Sequence, residues 1–250
     1  SQTDAGGTNV GIGAAVAVNA ATATNTAIVS DNASVNTEGL TVKAGMEGVA
    51  TNDFVAESKS GAGAGNVGVA GSLAINTVAN TTTALLQGDS DLDTVGATVD
   101  AGSGDILIEA SNASTSSVTA GADVQGTGDS AKVGVGASVG VNVVANKTVA
   151  EVADLAVING GANFGLNASS AHTMSTNVTG GASGAMVAVT PVVAVSIGDN
   201  STIARLGENT TGLGISGAYS SAAEHSSEQT TVATGQTQGS DVSVGASIAV

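Results

Sequence analysis

The acidic stretch DSDLDTVGATVD contains the residues best suited to bind a metal ion. Asp89, Asp91 and Asp93 occupy alternate positions, as at the start of an EF-hand calcium loop. Asp100 stands at the twelfth position, where that loop has glutamate, and Thr94 stands at the sixth, where it has glycine. The stretch is either a solvated acidic turn or an irregular Ca²⁺ site that fixes a loop. The candidate ligands are Asp89, Asp91, Asp93 and Asp100.

The two histidines, His172 and His225, are the candidates for general acid–base chemistry. His225 lies in EHSSE, among the residue types of a serine–histidine–acid triad. Such a triad needs its three groups to converge in space beside an oxyanion hole. Adjacent residues of an extended strand point to opposite faces instead. We therefore expect an exposed polar strand or turn here, and we expect no catalytic residues in the chain.

The glycine-rich stretch GAGAGNVG is the candidate for a phosphate-binding loop. It lacks both the Lys-Ser/Thr pair and the following helix that such a loop requires. We expect it to form a tight turn between repeats.

The charge balance excludes several partners. Acidic residues outnumber basic ones 21 to 5, for a net charge of −16, which should repel nucleic acid and anionic lipid surfaces. The chain has no cysteine, so it forms neither disulfides nor thiolate metal sites. No apolar run reaches the roughly 18 residues of a spanning helix, so we expect no membrane span. No cofactor is expected to be required, and Ca²⁺ is the candidate ion.

A repeated phrase organises the whole chain. It occurs as TNVGIGAAVAVN, GNVGVAGSLAIN, AKVGVGASVGVN, AMVAVTPVVAVS and SDVSVGASIAV. Its first valines recur at similar intervals, at Val10, Val67, Val133, Val187 and Val242. We expect one repetitive domain over residues 1–250. Its repeats should cover about 8–64, 65–130, 131–184 and 185–240, with a partial repeat at 241–250.

The phrase alternates with a period of two, which indicates a β-strand. In the third copy valines and one alanine fill one side, while Gly134, Gly136, Ser138 and Gly140 fill the other. A helix is disfavoured because each glycine costs about 0.8–1 kcal/mol relative to alanine. With aromatics at only 1%, we expect an interior of Val, Ile, Leu and Ala. The small outward face then either meets solvent or packs closely against another wall or a neighbouring molecule.

Two further elements follow the phrase in each full repeat. An alanine recurs at the eighth position after its end, at Ala27, Ala84, Ala150 and Ala204. The segments LTVKAG, ILIEAS, FGLNAS and LGISGA come next. Short strands at a fixed period predict an all-β fold, a β-solenoid (parallel β-helix-like) built from about 55-residue repeats with coils about 4.8 Å apart. One coil comprises either a whole repeat or, at about 18 residues, a third of one.

Three asparagines end the first three phrases: Asn19, Asn76 and Asn142. If the phrases stack, these side chains form an amide ladder inside the solenoid or at a corner. They are otherwise ordinary turn residues.

The VGVGASVGVN-type phrase, the T-x-A motif and the L-x-V-x-A element resemble repeats of large secreted bacterial proteins. These are the filamentous-haemagglutinin-like and leukotoxin-type exoproteins and giant adhesins. The resemblance implies a fibrous, exported protein at the bacterial cell surface or in the extracellular matrix. A chain that begins with Ser rather than Met also favours a mature or excised segment of a longer protein.

The function predicted from these features is structural and adhesive: a stiff spacer and interaction surface. The alternative is a self-assembling subunit of an extracellular filament, with neighbouring copies joined through the solenoid ends or the Gly/Ala face. A distant alternative is a polysaccharide-active β-helix enzyme, although such sites use clustered acids, basic residues and aromatic platforms. Host-cell, other-cell or matrix ligands are the other expected partners.

Overall fold

The computed structural model describes residues 2–46, 50–89, 96–126, 132–208 and 213–250. Within these ranges the protein is all-β and contains no helix that could cross a membrane. The strands are β1 (Gln2–Gly7), β2 (Val10–Val29), β3 (Ser34–Asn36), β4 (Leu40–Ala44), β5 (Asn52–Ala64), β6 (Val67–Leu86), β7 (Thr98–Asp100), β8 (Ile106–Gly126), β9 (Val133–Val152), β10 (Val157–Gly160), β11 (Phe164–Leu206) and β12 (Tyr219–Ala249).

These strands form a parallel β-solenoid, so the predicted fold class is confirmed. The first wall contains β2, β6, β9, the second half of β11 and the end of β12, all parallel and in register. The first valines of the five phrases stack in one column. Val10, for example, pairs with Val67, its counterpart in the next repeat. One coil therefore comprises a whole repeat, and the alternative of three shorter coils in each repeat is wrong.

The second wall lies opposite the first and contains β1, β4, β5, β8, the first half of β11 and most of β12. A short sheet of β3, β7 and β10 joins the two walls on one side. The segment LGISGA does not stack on its predicted counterparts, because Ile215 bridges Gly161 beside the short sheet. Tyr219 takes the predicted place instead and pairs with Phe164.

On the other side, the chain passes from the second wall to the first through a very tight corner. Only Thr8 and Asn9 separate β1 from β2, and only Gly65 and Asn66 separate β5 from β6. In β11 the strand continues through the corner, where Gly184 has a φ of 72°. The glycine-rich stretch GAGAGNVG thus includes a tight turn, as predicted. This corner holds the two walls close together.

The predicted orientation of the phrase is wrong. In β6 every second residue from Gly68 to Leu86 is buried, so the Gly/Ala/Ser side faces inward and the valine side faces outward. The reason is steric, because a Cβ added to Gly136 would lie 2.1 Å from the carbonyl oxygen of Gly181 on the opposite wall. The alternative of close packing against another wall of the same solenoid is the one observed. The Gly/Ala face is therefore not available to a neighbouring molecule.

The interior changes in character from the tight corner to the short sheet. Near the corner it consists mainly of alanines such as Ala70, Ala122 and Ala188, with Val124 among them. Beside the short sheet, where the connection between the walls is longer, large side chains such as Ile108 and Leu166 fill the space. The cross-section is thus a wedge whose thickness follows the length of the connections.

Candidate functional site

The outer surface of the first wall carries a continuous apolar field, which we call the valine face. It consists of every second residue of 10–18 in β2, 67–75 in β6, 133–141 in β9, 187–195 in β11 and 242–248 in β12. Every one of these outward residues is apolar. Its large side chains are well exposed in the two end strands, with Ile12 at 66% and Val244 at 50%, and mostly half-buried in the middle coils, where Val139 at 36% is the exception.

The shape of the valine face follows from the register of the repeats. Its middle column contains only small residues or proline: Ala14, Gly71, Ala137, Pro191 and Ala246. A Cβ added to Gly71 would meet nothing within 4 Å, so this column is an open furrow. Columns of Val, Ile and Leu lie on both sides of it. The face is therefore apolar and shallowly ridged.

Charged side chains lie on the opposite surface. Asp4, Glu57, Lys59 and Asp123 project from the second wall, where Lys59 pairs with Glu57 at 2.5 Å. Asp4, Lys59 and Asp123 border a groove of about 580 Å³. Charged residues such as Lys147 and Asp199 also lie on the outer side of the first wall, but only beyond the valine face. The contrast in polarity is therefore between the valine face and the remaining outer surface.

A buried polar seam crosses the middle of the solenoid between the small-residue and large-residue parts of the interior. The predicted amide ladder is found here: the Asn19 amide donates to Asn76 Oδ1 at 2.8 Å, and the Asn76 amide donates to Asn142 Oδ1 at 3.2 Å. The Asn76 amide also donates to Ser116 Oγ on the opposite wall at 2.7 Å. Asn76 and Asn142 are fully buried. The ladder therefore joins successive coils and also joins the two walls.

His172 lies in this seam, and His225 lies next to it on the neighbouring end coil, where it is exposed; their ring centroids are 5.8 Å apart. His172 Nδ1 is 2.8 Å from Ser114 Oγ, and His225 Nδ1 is 2.8 Å from Ser170 Oγ. Burial, and secondarily the charge of His225, lowers the pKa of His172 to about 4. His172 is therefore neutral at physiological pH. Ser114 and His172 are only 5% and 7% exposed, so this pair is positioned for packing rather than for substrate contact.

Sequence reasoning did not anticipate this histidine pair. The signal was present, because the separation of His172 and His225 along the chain is close to the repeat interval. The register pairs Ser170 with His225 and His172 with Ser227, which places both histidines on the inner face of the second wall two positions apart.

The predicted calcium ligands are only partly described. Asp89 follows β6, and Asp100 lies in β7, where its Oδ1 accepts a hydrogen bond from the Gly102 N–H at 3.1 Å. Asp91 and Asp93 lie outside the described residues. Within the described ranges, no three His, Cys, Asp or Glu residues are grouped closely enough to hold a metal ion. The calcium site stays a prediction.

The chain matches no known family model, no curated protein and no solved structure. The resemblance to bacterial exoprotein repeats therefore stays a prediction.

Proposed function

We propose that this chain is a stiff solenoid segment of a large exported bacterial surface or matrix protein, with a structural and adhesive role. The observation that carries the proposal is the in-register pairing of successive repeats, which is continuous through the first three coils and interrupted only locally in the later ones. Along β2 and β6, every residue from Val10 to Val29 pairs with its counterpart in the next coil. The same pairing continues into β9.

Stiffness follows from the way successive coils are joined. Two long parallel ladders, one in each wall, connect each coil to the next, so separating coils means breaking both ladders together. The Asn19–Asn76–Asn142 ladder adds buried hydrogen bonds along the same direction. A shift of one residue would exchange the inward and outward side chains of a whole strand. Sliding between coils is therefore strongly opposed.

An adhesive role is supported by the two contrasting outer surfaces. The valine face offers apolar area, whereas the second wall offers carboxylates, lysines and a groove. Since successive coils repeat these surfaces, a longer stack would present them many times along its length.

The structural role is tested by single-molecule force spectroscopy of the chain held between two marker domains. Loss of one coil of about 55 residues should lengthen the molecule by about 180–200 Å. We expect discrete steps of this size and little extension before the first step. A gradual extension without steps would contradict the stiff-spacer role.

The adhesive role needs a separate measurement. Beads coated with the protein should bind to cells or extracellular matrix more strongly than beads coated with an unrelated acidic protein of similar net charge. Equal binding of the two kinds of bead would contradict it.

A further inference from the structure

We infer that the valine face is a self-association surface, on which two copies of this chain pack face to face. This goes beyond the proposed function, because a single solenoid can act as a stiff spacer without a partner. The inference starts from exposure: Ile12 and Val16 are 66% and 58% exposed in β2, and Ile248 is 56% exposed in β12, the two end strands of the face. The outward valines, leucine and isoleucine of the strands between them are mostly half-buried, and none is fully covered.

The area of the face matches the size of a stable interface. Nine residues of strand span about 26 Å, and four strand spacings span about 19 Å. Half a residue spacing is added at each end of the strands, and half a strand spacing at each edge of the sheet. The face then covers roughly 700 Å². The largest apolar patch of a typical monomer is about 300–600 Å². A standard protein–protein interface buries about 800 Å² on each partner. Two valine faces in contact therefore provide nearly the full area of a standard interface.

The distribution of charge permits a second copy at the valine face and opposes anionic partners. The net charge of −16 opposes contact with anionic lipid surfaces and with nucleic acid. It also opposes contact between two copies of the chain wherever their carboxylates would meet. The valine face contains no charged residue, and the second-wall charges Asp4, Glu57 and Asp123 lie on the far side of the solenoid. Face-to-face packing thus keeps these carboxylates apart.

Shape favours the same partner. Two sheets with apolar faces pack about 10 Å apart as a sandwich, their side chains interdigitating. The furrow of Ala14, Gly71 and Ala137 can receive a ridge of large side chains from an identical face displaced by one column. In the resulting pair, the second wall of each copy faces solvent.

The first test is sedimentation velocity of the full chain from about 1 to 100 µM, at neutral pH. We expect a monomer of 23.4 kDa to convert to a species of twice that mass as concentration rises. Leu73→Glu places a carboxylate within the face and should weaken the dimer at least about 30-fold, or about 2 kcal/mol. Thr81→Glu is the matched control, since it adds the same charge to the outward side of the same strand outside the face. It should change the dissociation constant less than about 3-fold.

A second test does not depend on the stability of the Leu73→Glu variant. The sequence contains no cysteine, so a single Gly71→Cys substitution introduces a unique thiol in the open furrow. A short bis-maleimide should cross-link this variant into dimers. A Thr119→Cys variant, with its thiol on the outer surface of the second wall, should remain monomeric under the same conditions.

Three results would overturn the inference. One is a wild-type chain that stays monomeric at the highest concentration, with no cross-linking through Gly71→Cys. Another is a dimer that Leu73→Glu leaves unchanged, which would place the interface elsewhere. The third is flotation with neutral phosphatidylcholine vesicles without dimerisation, which would make lipid the occupant of the face. None of these results would change the stepwise force response that tests the proposed function.

Discussion

Substitution of Gly136 by alanine tests the close approach of the two walls most directly. A Cβ at this position would lie 2.1 Å from the Gly181 oxygen and 3.0 Å from its carbonyl carbon, both backbone atoms of the opposite wall. Ordinary van der Waals contact begins at about 3.4 Å, so the walls must separate locally. Gly136 is paired with Ala70 in the first wall, and Gly181 is paired with Asp123 in the second, so both backbones are held by ladders to a neighbouring coil.

The expected cost follows from this displacement. Overpacking a well-packed interior costs about 1–3 kcal/mol and occasionally more. Because the obstacle at Gly136 is backbone rather than a side chain that can rotate, we expect the Gly136→Ala variant to lose about 3 kcal/mol of unfolding free energy.

Three other glycines of the first wall provide a graded set of controls. At Gly140 the nearest atom to an added Cβ is Val178 Cγ2, a side-chain atom that can move, so alanine should cost about 1–2 kcal/mol. At Gly134 the nearest atoms are at 3.4–3.5 Å, and alanine should be close to neutral. At Gly71, on the outward side, alanine should stabilise by about 0.4–1 kcal/mol through a less flexible unfolded chain.

The assay is urea unfolding of all four variants, followed by far-UV circular dichroism at a concentration where the chain is monomeric. The order of stability should be Gly71→Ala, Gly134→Ala, Gly140→Ala and Gly136→Ala, from highest to lowest. A difference between Gly136→Ala and Gly71→Ala of less than about 0.5 kcal/mol, the range of ordinary surface substitutions, would refute the inward orientation of the glycine side.

Three further predictions concern the polar seam and the acidic stretch. The pKa of His172 is 6.5 in the unfolded chain and about 4 in the folded one. At a pH between these two values, His172 is protonated in the unfolded state but neutral in the folded state. Unfolding free energy should therefore fall by up to about 3 kcal/mol as pH drops through this window. Urea titrations at pH 7, 5 and 4 should show a smaller fall for His172→Gln, and equal falls would contradict the burial of this ring. Asn76→Ala should cost about 2–3 kcal/mol in thermal or urea unfolding because it leaves buried partners unpaired. Asn66→Ala, which breaks a solvent-exposed Asn–Asn bond, should cost less than about 1 kcal/mol, and equal costs would argue against a buried ladder. If the Asp89–Asp100 stretch holds Ca²⁺, chelation should lower the melting temperature and added Ca²⁺ should restore it. An unchanged melting temperature would contradict the predicted calcium site.

The regularity of the repeats made much of the architecture predictable. The period of two identified strands, and the spacing of the first valines placed them in one column, as Val67 and Val133 show. The amide ladder followed from the same spacing, because side chains at equivalent positions of stacked coils must lie about one strand spacing apart.

Other features depended on contacts between distant parts of the chain. The sequence LGISGA resembles its counterparts closely enough to be aligned with them, but the hydrogen bonds place Ile215 beside the short sheet and Tyr219 in the second wall. The histidine pair arises because two positions on neighbouring coils share the inner face of one wall.

Sequence alone determined that the repeated phrase is a strand with one large and one small face, since alternation requires no knowledge of the partner. It did not determine which face lies inside. That depended on the distance between the walls, which the two-residue connections such as Gly65–Asn66 keep short. At this distance the inward positions of the phrase in β6 and β9 have room only for small residues such as Gly136, and the valines of these phrases lie outside. The valine side, which the sequence predicts as the core, is therefore an outer surface in the tertiary structure. The space between the walls, rather than the hydrophobicity of one strand, determines which side of the phrase is buried.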